Sequence, residues 1–167
     1  QIESVSWNTA DGFGAALNAF IGQNYGAGKM DRVKKGYRAS LITVGVWGLF
    51  ITLLFVCFPE QISGVFFHEP TAIATAVGYM IIIGYSEAFM SVELMTVGAL
   101  SGLGKTHLCS VISITLTSAR IPLAILLSGT ALGLLGIWWA LTATSVVKGI
   151  VFVMAFYWIT ARMRNSK

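Results

Sequence analysis

The sequence predicts an all-α integral membrane fold, and three observations carry that prediction. The first is composition: 56% of the 167 residues are hydrophobic and only 11% are charged. A soluble domain carries about 25% charged residues and leaves roughly 30% of its chain surface wet at this length. The mean hydropathy of +0.77 points to lipid as the solvent. The second is length. Apolar runs recur at about 4–25, 39–58, 72–100, 108–128 and 134–158. Each has roughly the 20 residues a helix needs to cross ~30 Å of hydrocarbon, and helices are expected because lipid cannot satisfy exposed backbone groups. The third is charge. If the five runs alternate in direction, the regions 26–38 and 102–107 and the C-terminal tail share one side. They hold Lys29, Arg32, Lys34, Lys35, Arg38, Lys105, Arg162, Arg164 and Lys167, which is nine of the eleven basic residues.

Along the chain, the first run is the least apolar. It has no basic region ahead of it, so it does not read as a cleaved signal peptide. The sequence opens on Gln1 rather than Met, which leads us to expect a piece of a longer polypeptide. The opposite side of the membrane holds Glu3, Glu60, His68 and Glu69 and no Lys or Arg. By the positive-inside rule the N-terminus of the segment lies outside and the C-terminus in the cytoplasm, in a multi-pass arrangement in the cell (inner) membrane. The net charge of +4 is then a topology signal with anionic-lipid contact, and no nucleic-acid partner is expected. Trp7, Phe58, Phe66, Phe67, Trp138 and Trp139 fall near the outer interface, Tyr157 and Trp158 near the inner one. Cys57 and Cys109 sit toward opposite faces, too far apart for a disulfide within one chain.

Two stretches imitate a phosphate-binding loop. GALSGLGKTH, Gly98 to His107, carries Gly-Lys-Thr near its end, but the position five before Gly104, where the motif needs its first Gly, is occupied by Ala99, and the preceding segment is a helix candidate rather than a strand. In IGQNYGAGKM, Met30 follows Gly28-Lys29 where Ser or Thr is needed. Both read as tight cytoplasmic turns with Lys anchored at the headgroups, the helix after the first of them starting at Thr106. The pairs Gly98 and Gly102, and Gly22 and Gly26, have the four-residue spacing that lets a neighbouring helix approach closely.

Ionisable residues within a bilayer cost a few kcal/mol each on insertion scales and are functional candidates by default. Asp11, Glu87, Glu93, Arg120 and Lys148 qualify. At ~1.5 Å rise per residue, Glu93 and Lys148 lie at roughly 14–15 Å from the cytoplasmic helix ends, Arg120 at about 18 Å, and Asp11 and Glu87 at about 22 Å. Three acids face two bases. If Arg120 and Lys148 both act as ion-pair partners, one acid stays unpaired, and an unpaired buried carboxylate is suited to carrying a proton or holding a cation. Glu87 and Glu93 are offset by about 120° on their helix, so both face one cavity only if it is wide. Ser4, Asp11, Asn18 and Tyr25 recur every seven residues with Asn8 beside them, a polar stripe that lines water or another helix. Glu3 is expected to be merely solvated. Arg120 precedes Pro122, which frees a helix carbonyl, and Arg120 can serve either that carbonyl or an acid. Met80, Phe89, Met90 and Met95 are expected to be packing residues, with a soft drug-accepting wall as the alternative.

Four segments, in order, resemble one family. GFGAALNAFIGQNYGAGKMDRVKKGY resembles the junction of the second and third helices in half of a multidrug and toxic compound extrusion (MATE) transporter. VGALSGLGKTH resembles the turn between its fourth and fifth helices, and SARIPLAILL followed by LGLLGIWWALTATSVVKGI its last two. The resemblance implies two six-helix bundles, of which residues 1–167 correspond to the C-terminal lobe without its first helix. It also implies carboxylates of the half's fourth helix in the cation and substrate cavity, which brings in Glu93 and Glu87, with Asp11 as a third candidate for cation coupling.

The expected function is a secondary multidrug antiporter that exports organic, often cationic, compounds in exchange for H⁺ or Na⁺ by alternating access. It needs no cofactor beyond the coupling ion. Its partners are drug-like small molecules, membrane lipids and the N-terminal lobe of the same chain, without which the segment is not expected to transport. A flippase for lipid-linked oligosaccharides is the alternative, though more cavity cations are expected there. No enzyme is expected: Asp11 and Asp31 are the only Asp residues for a prenyl-transfer motif, and His68 and His107 lie in opposite loops, not in H-E-x-x-H.

Overall fold

A computed structural model describes residues 2–165. The side chains of Ile2, Arg164 and Asn165 and all of Gln1, Ser166 and Lys167 lie outside the description, so the expected tail cations Arg164 and Lys167 do too. Among the described residues the fold is wholly helical: α1 (Ile2–Gly26), α2 (Met30–Cys57), α3 (Pro59–Phe66), α4 (Pro70–Gly102), α5 (Thr106–Ser128) and α6 (Leu134–Asn165). Four of these are long and apolar enough to cross a membrane: α2, α4, α5, and α6 over Leu134–Met163. The 25-residue α1 falls short of that hydropathy, in keeping with its Glu3, Asp11 and amide side chains. The second run begins nine residues earlier than expected, so Arg32, Lys34, Lys35 and Arg38 ride on the first turns of α2. At 28 residues α2 is about 42 Å long, enough to carry those charges beyond the hydrocarbon.

The central element is α4. It packs against α1, α2, α3 and α6, whereas α1 and α6 do not touch one another among the described residues. Side-chain contacts fix the directions. Thr52 donates to the Gly84 carbonyl and Tyr37 meets Thr96 at 3.0 Å, so α2 runs antiparallel to α4. Thr142 donates to the Ile82 carbonyl and Lys148 meets Glu93, so α6 runs parallel to it. In lipid, where apolar burial between helices is not a driving force, such hydrogen bonds and close packing of small residues hold helices together. The turns that hold Lys29 and Lys105 therefore lie at one end of the bundle with Arg162, and α3 lies at the other with Glu3, Glu60 and Glu69.

The close approach expected of Gly98 and Gly102 is present, and the partner is α1. A Cβ on Gly98 would collide with the backbone of Gly14, and one on Gly102 would lie 2.6 Å from the Asn18 carbonyl oxygen. Gly22 shares the seam more loosely, 3.5 Å from the Gly102 oxygen, but Gly26 faces open space and takes no part. The seam runs along one face of α1, and Gly26 ends the helix where α4 also ends. The core falls into two clusters. Toward the basic end Tyr37 stacks on Phe156 with centroids 3.6 Å apart, among Ile21, Met95, Leu100 and Phe152. Toward α3, Ile51, Phe55 and Met80 pack together. Cys57 is exposed and Cys109 buried, both as free thiols.

The two phosphate-loop mimics are helix–turn–helix connections. Gly28 and Gly104 take left-handed φ values of 71° and 72°. Each turn closes with a long-reaching bond, Lys29 N–H to the Asn24 carbonyl and Lys105 N–H to the Leu100 carbonyl, satisfying helix-end carbonyls as a Schellman-type cap does. A left-handed residue with a side chain costs about 1–2 kcal/mol. Gly104→Ala and Gly28→Ala are therefore expected to lower the melting temperature followed by circular dichroism in detergent. Gly45→Ala, in regular helix with nothing within 4 Å, is expected to hold or raise it.

Candidate functional site

The site is built on one stretch of α4, Tyr79 to Thr96, where the chain places two carboxylates six residues apart. Six steps of 100° separate them by about 120° round the helix. Because α1 and α6 cover separate faces of α4, the two acids diverge. Glu87 turns to α1 and Glu93 to α6. Among the described residues the two acids do not share one cavity.

Glu93 is neutralised. Its Oε1 lies 2.7 Å from Lys148 Nζ, and both side chains are about nine-tenths buried. Lys148 also approaches Thr117 Oγ1 of α5 at 3.4 Å, so one cation ties α4, α5 and α6 together. Among the described residues Glu87 has no such partner. It has no exposed surface, and neither carboxylate oxygen makes a hydrogen bond to a described residue. Ser6 and Trp7 of α1 face it. The hydroxyls of Ser6 and of Ser91, one turn further along α4, are likewise buried and unbonded. A buried charge without compensation is among the most costly features a protein interior can hold. Two carboxylate oxygens and two hydroxyls on one helix seam are hard oxygen donors, the type that accepts a proton or a small hard cation.

The remaining candidates are placed elsewhere. α1 buries Ser6, Ala10, Gly14, Leu17, Ile21 and Asn24, a run at helical spacing. Its polar stripe lies roughly a third of a turn away, and there Ser4, Asn8, Asp11, Asn18 and Tyr25 are exposed. Among the described residues the side chains of Asn8, Asp11, Asn18 and Tyr25 lie on the outside of the bundle. Only the backbone of Asn18 enters the seam.

Arg120, expected to be an ion-pair partner, is corrected. Its Nε donates to Thr144 Oγ1 at 2.9 Å and its Nη2 to Ser145 Oγ at 3.1 Å. The reason is geometric: α5 packs mainly on α6, and the face of α4 that bears Glu87 is covered by α1. Lys148 is the one base of the expected two that pairs, among the described residues. Met80 and Met95 are buried in the two core clusters, as packing residues. Sequence reasoning did not find Ser6 and Ser91. Their signal is positional: Ser91 follows Glu87 by four residues, and Ser6 stands in register with the small residues Ala10 and Gly14.

A family model described as MatE matches residues 2–126, three-quarters of the helical bundle. The chain belongs to the MatE family. A probable multidrug resistance protein NorM of Pseudomonas aeruginosa is 30% identical over 173 aligned positions, which take in 98% of this chain and 35% of that protein. One from Thermotoga maritima is 27% identical, over 93% of this chain and 34% of its own length. Multidrug and toxin extrusion protein 1 of Danio rerio is 19% identical, over 94% and 27%. The chain thus spans about a third of the length of the curated relatives it matches. With four helices fit to span a bilayer, this MatE chain is part of a multi-pass membrane protein.

Proposed function

We propose that this chain forms the C-terminal lobe, without that lobe's first helix, of a secondary antiporter. The antiporter exports organic, often cationic, compounds in exchange for H⁺ or Na⁺ by alternating access. The observation that carries the proposal is Glu87, fully buried on the central helix with both oxygens unbonded among the described residues, while Glu93 six residues on is paired. A carboxylate of this kind is stable when a cation joins it. Uptake of a proton or Na⁺ at the α1–α4 seam changes the charge that α1 must cover, which gives the coupling ion a preference between two packings of that seam. Coupling needs no more than that the ion and the substrate prefer different states. The drug and toxin substrates follow from the names of the relatives. The basic end faces the cytoplasm and the α3 end the outside, by the positive-inside rule. The exposed stripe with Asp11, Asn8 and Asn18 then looks onto the cavity shared with the N-terminal lobe. No chemical step on the substrate is involved, and the coupling ion is the only cofactor.

The test follows ethidium efflux from cells stripped of other drug pumps and expressing the full-length protein, with an uncoupler or with Na⁺ withdrawn. The wild type is expected to lose efflux under one of these treatments. Glu87→Gln, at equal amounts in the membrane, is expected to lose the gradient-dependent part. Efflux indifferent to both gradients, or undiminished in Glu87→Gln, refutes the assignment.

A further inference from the structure

At the basic end of the bundle α2 and α6 touch only over a short stretch. Tyr37 marks the place, stacked on Phe156 and edge-on to Tyr157 with centroids 5.7 Å apart. Past that point the two helices part and each packs on α4. The face of α4 that Thr96 presents to Tyr37 continues through Phe89 and Tyr85, seven and eleven residues back along the helix. Both rings are exposed, and Tyr85 lies about 200° round from Glu87, so this face is turned away from α1. The rims match. Gly45 stands seven residues from Arg38 on α2, and Ile150 seven from Tyr157 on α6, so each lies about two turns further into the membrane on the same face. Ile150 is exposed, and a Cβ on Gly45 would meet nothing within 4 Å. The result is an open apolar groove floored by aromatic rings. From Thr96 to Tyr85 the floor is about 16 Å long, the depth of one leaflet of a ~30 Å hydrocarbon core.

Cations stand at the head of the groove. A Cβ on Gly36 would strike the Phe20 ring, so Gly36 faces α1. Lys34 and Arg38, two residues to either side of it, lie within about 40° of one another on the opposite side of α2, where Tyr37 meets α6. Arg38 is exposed and Lys34 half-buried, and the exposed Tyr157 adds a hydroxyl beside them. The other cations of these turns, Arg32 and Lys35, lie about 140–160° from Tyr37 and so off the groove. Asp31 is the one acid on the same turns. Among the described residues the one ion pair is that of Glu93 with Lys148, so Lys34 and Arg38 have no carboxylate partner there.

We propose that this groove seats an anionic phospholipid, its phosphate between Lys34, Arg38 and Tyr157 and one acyl chain along Gly45 and Ile150 over Phe89 and Tyr85. Basic pockets between membrane helices hold such headgroups, and each Lys or Arg near the surface adds to the attraction. Charge selects among lipids, because a zwitterionic headgroup brings its own ammonium up to the same cations. The groove selects a lipid over free phosphate, because only an acyl chain covers its apolar floor. The lipid is a resident of the lobe and not a transported compound, and it fills the space where α2 and α6 part. The site does not depend on the antiport reading.

The test uses the purified full-length protein, stripped of lipid in detergent, with bound lipid counted by native mass spectrometry. The probe is palmitoyl-oleoyl phosphatidylglycerol, compared with the phosphatidylethanolamine of the same chains and with glycerol phosphate. Phosphatidylglycerol is expected to be retained saturably, the ethanolamine lipid weakly, and glycerol phosphate not to compete. Lys34→Gln with Arg38→Gln is expected to weaken binding roughly thirtyfold. Arg32→Gln with Lys35→Gln removes the same charge off the groove and is expected to stay within about threefold of wild type. Gly45→Leu projects into open space, so it is expected to keep the melting temperature and to weaken binding about tenfold by filling the path of the chain. Melting temperatures of the charge variants separate lost binding from lost folding. Equal weakening by the two charge pairs makes the cations a general basic rim and overturns the site. Equal binding of the two lipids, displacement by glycerol phosphate at the same concentration, full affinity in folded Gly45→Leu, or a dimer that closes the groove to lipid overturns it as well.

Discussion

Gly98→Val is expected to release α1 from α4 and to lower stability by about 2–3 kcal/mol, the upper part of the range for overpacking. The new Cβ falls on the backbone of Gly14, with that residue's carbonyl carbon at 2.6 Å and Cα at 2.7 Å. Backbone cannot rotate away as a side chain does, so the two helices must separate. In lipid nothing replaces the contact, because separated apolar surfaces are solvated by acyl chains as well as by each other. The gain in helix propensity on losing a glycine is under about 1 kcal/mol and does not offset this. A graded series checks the cause. Gly14→Ala places its Cβ 3.0 Å from the Leu94 oxygen and is expected to be milder. Gly12→Ala, two residues away with nothing within 4 Å, is expected to be neutral or stabilising. Melting temperatures in detergent rank the three. A Gly98→Val protein that melts with the wild type would mean that the α1–α4 seam does not carry the fold. The same seam covers Glu87, the residue proposed for coupling.

The helices were legible because a membrane span leaves a long, unbroken hydropathy signal, and the runs 72–100 and 108–128 fall within α4 and α5. The short α3 was not, because eight residues between Cys57 and Pro70 carry too few turns to separate an interfacial helix from an outer loop. The spacing of Gly98 and Gly102 marked a close approach but could not name Gly14, since one helix's pattern does not specify its neighbour. The same gap explains Arg120. Counting charges assigned it to an acid, while the seam offered the hydroxyls of Thr144 and Ser145, polar residues that hydropathy treats as nearly neutral. Phe66, Phe67 and Trp138 were placed at one depth as an interfacial belt, and depth alone says nothing of a space enclosed between them. The divergence of Glu87 and Glu93 was in the sequence as a 120° offset, but which helix would cover which face was not.

Lys148→Met is expected to be among the most destabilising single changes in the bundle, by roughly 3–5 kcal/mol, because it leaves the Glu93 carboxylate buried and uncompensated. The pair is short, at 2.7 Å, and about nine-tenths buried on both sides, so solvent screening does little to soften the loss. Glu93→Gln alone is expected to cost less, since an amide still hydrogen-bonds and only the cation is stranded, with Thr117 nearby at 3.4 Å. The double variant Glu93→Met and Lys148→Met removes both charges together, and buried pairs replaced by apolar residues of similar volume are often neutral or stabilising. Its melting temperature is therefore expected to recover most of the loss, a strong coupling between the two sites. Efflux in that double variant separates two roles for Glu93. Recovered stability with retained efflux makes the pair a structural tie between α4 and α6 and leaves coupling to Glu87. Recovered stability with lost efflux puts Glu93 in the ion path, with Lys148 as the charge that holds its place until a proton or Na⁺ arrives. No recovery of stability would mean that the pair is not the source of the Lys148→Met defect, and that Lys148 acts instead through Thr117 and the α5–α6 seam.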